Sequence, residues 1–168
     1  MKITNVQAFL MSYPMPEEIK LPFWGGVRTI LKRDAMLIKI STDTGLTGYA
    51  PGPAFERAGE EISTSIKEYL VGKDPLKWKT FRFPGDTDSL KTYYAVEVAL
   101  LDLAGKYEQC SISELMGGRV RSDIKLYGSA GMYMSPQRYA EEAHAFSRWD
   151  FPLTRCGGRR TGRRPDDS

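Results

Sequence analysis

Histidine and cysteine are almost missing from this chain: His144, Cys110 and Cys156 are the only three in 168 residues. Two cysteines are too few for a disulfide framework, and their separation has no metal-ligand spacing. His144 stands between Ala143 and Ala145 with no second ligand or nucleophile beside it, and is expected on a helix surface. Long apolar runs are absent too. None approaches membrane-spanning length, and no signal peptide precedes the first strand, so the expected compartment is the cytoplasm with no membrane partner. The body of the chain also lacks an excess of either charge. The formal charge of +3 arises wholly after residue 146, where six Arg meet three Asp; the first 146 residues hold eighteen groups of each sign. Basicity is therefore a property of the tail.

What is present suffices for one domain and little more: 41% apolar residues supply a core. Lys2 to Met11 reads as a first strand. Val6, Ala8 and Leu10 share one parity and Ile3, Phe9 and Met11 the other, which predicts a bulge or cover on both faces. Pro14 and Pro16 are expected to stop it. Tyr13 to Thr29 then reads as a loop that carries Phe23 and Trp24 before two glycines, a candidate lid or binding rim. Asp34 to Ser41 is the second strand, with Met36, Ile38 and Ile40 on one face. Asp43-Thr44-Gly45 is a hairpin turn, Leu46 to Ala50 returns, and Pro51-Gly52-Pro53 opens a second loop.

Ala54 to Leu70 has an amphipathic stripe of Phe55, Ala58, Ile62, Ile66, Tyr69 and Leu70. Leu76 to Phe83 is expected to supply Trp78, Phe81 and Phe83 to the core. Thr87 or Asp88 is the expected cap of a long helix. On that helix Val96, Ala99, Leu100 and Leu103 form one apolar face and Val98 and Leu101 a second, so cover on more than one side is expected. A short helix, Ser113 to Met116, ends at Gly117 and Gly118, which suit a left-handed exit. A strand is expected over Ile124 to Gly131, followed by a helix capped by Ser135 with Pro136 in its first turn and Tyr139, Ala143 and Phe146 on one face. Strands followed by helices predict an α+β fold, a three-stranded antiparallel sheet with helices on one face.

The run AVEVALLDLAGKYEQCSISELMGG, a basic residue, then IKLYGSAG, resembles the end of the capping domain of the mandelate racemase and muconate-lactonizing family of the enolase superfamily. The matching residues are Ala99, Leu100, Leu101, Asp102, Leu103, Gly105 and Lys106, then Leu115, Met116, Gly117 and Gly118. Ser111 departs, since the family usually has proline there, and an acidic position after the TDTGLTGYA hairpin is Ala50 here. The resemblance covers Met1 to about Phe146. It implies an enolase-like N-terminal capping domain over 1–118 and the first strand and helix of an incomplete TIM barrel over 119–147. Residues 148–168 read as a disordered basic tail.

The resemblance also implies a chemistry: proton abstraction alpha to a carboxylate, with Mg2+ held by three carboxylates, leading to racemisation, dehydration or cycloisomerisation of a carboxylic or sugar acid. The family's metal ligands and bases sit on later barrel strands, so no catalytic and no metal-binding residue is assigned to this chain, and no cofactor is expected to bind it. Asp102, Glu97 and Glu108 read as structural or surface acids. Phe23, Trp24, Tyr49 and Phe55 are the substrate-loop candidates, because the family's two cap loops face the substrate. A truncated enzyme, inactive alone, is the first expectation. A non-catalytic binding or assembly module that self-associates through an exposed cap face is the second. Sequence-blind nucleic-acid binding by Arg155, Arg159, Arg160, Arg163 and Arg164 is the third, and it lacks aromatic interleaving and a folded reader. A frameshift near residue 149 would explain the tail. One codon choice for Trp149 to Gly157, read two bases on, encodes Gly-Phe-Pro-Ala-Tyr-Lys-Met-Arg, which resembles the family's next barrel strand.

Overall fold

The computed structural model describes residues 1–23, 26–124, 129–130, 135–148 and 155–156, with backbone alone at 22, 23, 129, 130, 147, 155 and 156. The chain divides into two units, Met1–Ile19 with Ile30–Val120, and Lys20–Thr29 with Arg121–Ser168.

β1 (Ile3–Phe23), β2 (Gly26–Thr42) and β3 (Thr47–Gly52) form one antiparallel sheet in sequence order, which belongs to the first unit except at residues 20–29. The β2–β3 register sets Met36 opposite Gly52, Ile38 opposite Ala50 and Ile40 opposite Gly48. Alternation does the rest: Met36, Ile38, Ile40 and Ala50 all point into the core. The turn between these strands closes with the Gly45 N–H donating to the Thr42 carbonyl at 3.2 Å, and Gly45 takes φ 82° as its missing Cβ permits. Ile3 and Val6 are both buried despite opposite parity, so the strand changes faces between them.

Two strand expectations are corrected. Pro14 and Pro16 do not end β1, and Tyr13 to Thr29 is not a loop: the strand continues to Phe23 and β2 begins at Gly26. The order β1-β2-β3 leaves β1 at the sheet edge. A proline whose nitrogen faces away from β2 removes no ladder bond there. Trp24 and Gly25 lie outside the described residues.

Helices cover one face of the sheet. α1 (Glu56–Glu61), a π turn (Ile62–Ile66) and α2 (Lys67–Leu70) follow one another without a break. Their buried stripe is Ala58, Ile62, Ile66 and Leu70, each fully buried. Its spacing is four residues throughout, which on a 3.6-residue helix drifts by about 40° per step. The wider π turn takes up this drift and keeps all four against the sheet. Thr64 and Ser65 help by bonding back to the Glu60 and Glu61 carbonyls, at 2.7 and 3.3 Å. Phe55, expected in the stripe, precedes α1 and is 52% exposed; its extended backbone turns it away from the helix axis.

A 3₁₀ helix (Pro75–Thr80) leads to Phe81, which is buried, while Trp78 and Phe83 pack at the core margin. α3 (Thr87–Glu108) is the long helix. Its cap is Asp86, one residue before the expected Thr87 and two before Asp88; the carboxylate accepts the Ser89 N–H at 2.8 Å. Val96, Ala99, Leu100 and Leu103 are buried, and each such side chain contributes about 1.5–3 kcal/mol when large. Val98 is 42% exposed, so the second face expected to be covered is open at that residue. α3 ends at Gln109 in the left-handed region (φ 54°), a non-glycine C-cap that sequence reasoning missed. α4 (Ile112–Leu115) follows, one residue earlier than read, and Gly117 and Gly118 take positive φ. No helix among the described residues is long and apolar enough to cross a membrane.

In the second unit, β4 (Ser129–Ala130) pairs parallel with β5 (Arg155–Cys156), and α5 (Pro136–Ser147) lies between them in sequence. Ser135 caps α5 and Pro136 opens it, as read. Tyr139, Ala143 and Phe146 are half-buried and His144 is exposed. The rest of the expected 124–131 strand, except Ile124, and most of the basic tail lie outside the described residues.

Candidate functional site

Of the four substrate-loop candidates, two have described side chains. Phe23 ends β1 with its backbone described, and Trp24 lies outside the described residues. Tyr49 and Phe55 belong to the first unit but line different surfaces.

Phe55 lines a hollow of about 450 Å³ with Pro53, Arg57, Glu61, Asp88, Lys91 and Thr92. The hollow forms where the turn after β3 meets the starts of α1 and α3. Glu61 anchors it. One carboxylate oxygen accepts from Arg57 Nε at 3.0 Å and from Ser89 Oγ at 3.4 Å, and the other from Thr92 Oγ1 at 2.6 Å. This bond accounts for Thr92, a buried polar residue on the inner face of α3. Lys91 pairs with Asp88 at 2.8 Å. Asp86 is held below its usual carboxylate range by the Ser89 backbone and side chain, and Asp88 by its Lys91 hydrogen bond.

Glu61, Asp88 and Asp86 each accept from a cation, a hydroxyl or an N–H. No group of three or more His, Cys, Asp or Glu gathers among the described residues. What the hollow offers is an exposed aromatic face beside the Arg57–Glu61 and Lys91–Asp88 ion pairs.

Tyr49 sits elsewhere, on the outer edge of β3. Its backbone N–H donates to Asp102 Oδ2 at 2.8 Å, Lys106 Nζ bridges Asp102 at 2.6 Å and the Thr47 carbonyl at 3.1 Å, and the ammonium lies 5.0 Å from the Tyr49 ring centroid. Asp102 and Lys106 are one helical turn apart, so both reach the same strand edge. The residues that carry the sequence resemblance thus seal β3 against α3. Asp102 holds the β3 backbone to α3 through the Tyr49 N–H. The other polar cluster involves Tyr93, Tyr69, Phe83 and Arg82. Tyr69 OH accepts the Arg82 N–H at 2.7 Å, and Tyr93 stacks on Phe83 with centroids 5.0 Å apart. Burial first, then nearby Glu97, pushes the Tyr93 phenol far above its ordinary range, so it stays protonated and is no base at neutral pH. Sequence reasoning missed the Glu61 network, because Thr92 and Glu61 are far apart in sequence. The Ser111-x-x-Glu114 capping box, by contrast, was open to a pattern reading.

The family described as mandelate racemase / muconate lactonizing enzyme, N-terminal domain, matches residues 9–117. A D-galactonate dehydratase of Variovorax paradoxus is 31% identical over 107 residues, 57% of this chain and 28% of its own length. A D-galactarolactone cycloisomerase of Agrobacterium fabrum is 29% identical over 140 residues, 77% of this chain and 35% of its own. This chain therefore spans about a third of the curated relatives it matches. The structure of an enolase-superfamily member from Polaromonas superimposes with a TM-score of 0.69 at 27% identity, over 88% of this chain and 42% of that one. A candidate mandelate racemase/muconate lactonizing enzyme of Roseovarius nubinhibens, complexed with magnesium, shares the fold at a TM-score of 0.64 and 21% identity, over 90% of this chain and 43% of that one. The three-stranded sheet, the helices laid on it and the α3 signature that locks onto β3 are those of a cap, and the chain belongs to the mandelate racemase/muconate lactonizing enzyme family of the enolase superfamily, of which it is the N-terminal part.

Proposed function

We propose that these residues are the capping portion of a magnesium-dependent enzyme that removes the proton alpha to a carboxylate, and that by themselves they turn nothing over. The supporting observation is the division of parts. The family match at 9–117 is to the family's N-terminal domain, and the chain spans 28% and 35% of the length of the two curated relatives. The relatives' names, a dehydratase and a cycloisomerase of galactose-derived compounds, favour a sugar acid or its lactone as substrate class and a lyase or isomerase outcome. Mg2+ belongs to the rest of such an enzyme. The enzyme works in the cytoplasm.

The cap's own part is to close over substrate. Phe55, beside its hollow, is the described side chain assigned to face substrate and exclude water; Tyr49, on another surface of the same unit, is a separate candidate, and Phe23 and Trp24 are candidates from the sequence alone. An activity screen tests this directly. Purified chain with Mg2+ and a panel of aldonic acids, aldaric acids and lactones is expected to give no turnover, and turnover would overturn the reading. A chimera placing residues 1–118 on the barrel of the Agrobacterium cycloisomerase is expected to restore activity. There, Phe55→Ala is expected to raise KM more than it lowers kcat; an unchanged KM would remove Phe55 from the substrate rim.

A further inference from the structure

The charges around the hollow beside Phe55 are balanced in pairs. Among the described residues its lining carries two cations, Arg57 and Lys91, and two carboxylates, Glu61 and Asp88. Arg57 Nε meets Glu61 at 3.0 Å and Lys91 Nζ meets Asp88 at 2.8 Å. Asp86, the cap of α3, adds a third carboxylate that feels the Arg57 charge. An anion entering here has to displace a carboxylate from its cation, and it meets like charge beside it. A hydroxyl does neither. It donates to a carboxylate and accepts from the neighbouring guanidinium or ammonium, so it bridges a pair without breaking it. Part of this frame is held from behind: the Glu61 side chain is 14% exposed, and its second oxygen accepts from the hydroxyl of buried Thr92 at 2.6 Å. Phe55, 52% exposed, supplies an apolar ring against which the C–H face of a polyol or sugar ring packs. A volume of about 450 Å³ lies in the range of small-ligand sites.

We propose that this hollow holds an uncharged, hydroxyl-bearing end of the substrate and so selects singly charged sugar acids over doubly charged ones. The proposal rests on the reading that Phe55 faces substrate, and goes beyond it by fixing the charge of the end that reaches the cap. An aldonic acid carries one carboxylate and a chain of hydroxyls; an aldaric acid carries a carboxylate at each end. With the reacting carboxylate held by the rest of the enzyme, the far end of an aldonate brings hydroxyls to the hollow. The far end of an aldarate brings a second carboxylate to Glu61 and Asp88, where Arg57 and Lys91 are already engaged.

NMR titration of the isotope-labelled 168-residue chain at fixed ionic strength tests the proposal, with galactitol, D-galactonate and galactarate as probes. Galactitol and D-galactonate are expected to bind with millimolar Kd and to shift the amides of Phe55, Arg57 and Thr92. Galactarate is expected to bind about tenfold more weakly. Phe55→Ala is expected to weaken galactitol about tenfold or more. Tyr107→Ala, which removes an equally exposed aromatic near the far end of α3, is expected to leave it unchanged. Asp88→Asn, at an exposed position, frees Lys91 and is expected to close most of the gap between galactarate and galactitol. Circular dichroism confirms that each variant is folded. The absence of galactitol shifts, shifts centred away from the hollow, equal affinity for galactarate in the parent, full affinity in Phe55→Ala, or an unchanged gap in Asp88→Asn overturns it. The two readings fail separately. A chimera without turnover removes the cap reading and with it the link from hollow to substrate, whereas a failed titration removes the hollow's selectivity and leaves the cap reading to the chimera.

Discussion

Gly48 lies against Ala99 so closely that a Cβ on it would overlap the Ala99 carbonyl oxygen and sit 2.8 Å from Leu103 Cβ. The obstructing atom is backbone in the middle of a 22-residue helix, which cannot turn aside as a flexible side chain would. Gly48→Ala is therefore expected to destabilise the chain by about 1–3 kcal/mol or more, measured by urea unfolding. An unchanged midpoint would mean that α3 sits farther from β3.

Asp102→Ala removes the acceptor of the Tyr49 N–H and the partner of Lys106 together. A cost of about 1–3 kcal/mol is expected from the stranded donors. Asp102→Asn keeps an oxygen for the N–H and loses the charge, so its cost is expected to be smaller. Amide exchange at Tyr49 is the sharper readout. It should accelerate strongly in the alanine variant and little in the asparagine one; equal rates would refute the edge seal.

Ser111 stands where the family usually has proline. Its φ of −73° would accept proline, but its N–H donates to Glu114 Oε2 at 2.7 Å and its hydroxyl accepts the Glu114 N–H at 3.3 Å. The capping box thus supplies by hydrogen bonds what proline supplies by covalent constraint. Ser111→Ala is expected to cost about 0.5–2 kcal/mol. Ser111→Pro is expected to cost less, since proline's fixed φ offsets the lost donor. Thermal unfolding decides the order.

Glu97 and the capping acids respond to pH in opposite directions. Burial raises the Glu97 carboxyl, with Arg82 opposing. Between the ordinary value of 4.5 and the raised native one, the folded chain holds the proton more tightly, so stability falls as pH rises through that window. Glu97→Gln is therefore expected to be more stable than the parent at neutral pH, with the difference vanishing below about pH 4. Asp86 and Glu114 are lowered by their Ser89 and Ser111 hydrogen bonds. Their contributions are present above the ordinary values of 3.8 and 4.5 and are lost as pH falls through the lower native ones. A parent that goes on gaining stability below about pH 4 would contradict the Asp86 and Glu114 assignments, and one whose stability does not fall as pH rises above the ordinary value of 4.5 would contradict that of Glu97.

The coding DNA carries its own test. After the codon for Arg148, the frame two bases on is expected to encode Gly-Phe-Pro-Ala-Tyr-Lys-Met-Arg and to stay open. A stop codon there at once, or a different peptide, removes the frameshift explanation of the tail.

Much of this protein was legible from residue order alone. Alternation placed Met36, Ile38 and Ile40 inside, helical spacing placed Val96, Ala99, Leu100 and Leu103, and the Asp43-Thr44-Gly45 turn fixed how two strands meet; each is decided by neighbours a few residues away. The signature around Asp102 was enough to name the family. Tertiary structure alone decided the rest. Pro14 and Pro16 look like strand breakers until the sheet order puts them on an edge strand, where a proline nitrogen turned away from β2 removes no ladder bond. Phe55 looks like the first member of a buried stripe until the chain enters α1 from an extended residue. Glu61 finds Thr92 and Ser89, and Asp102 finds Tyr49, only because α3 is laid back across the sheet. A sequence pattern reports periodicity along one element; which polar groups are left over for another element depends on packing that no single element contains.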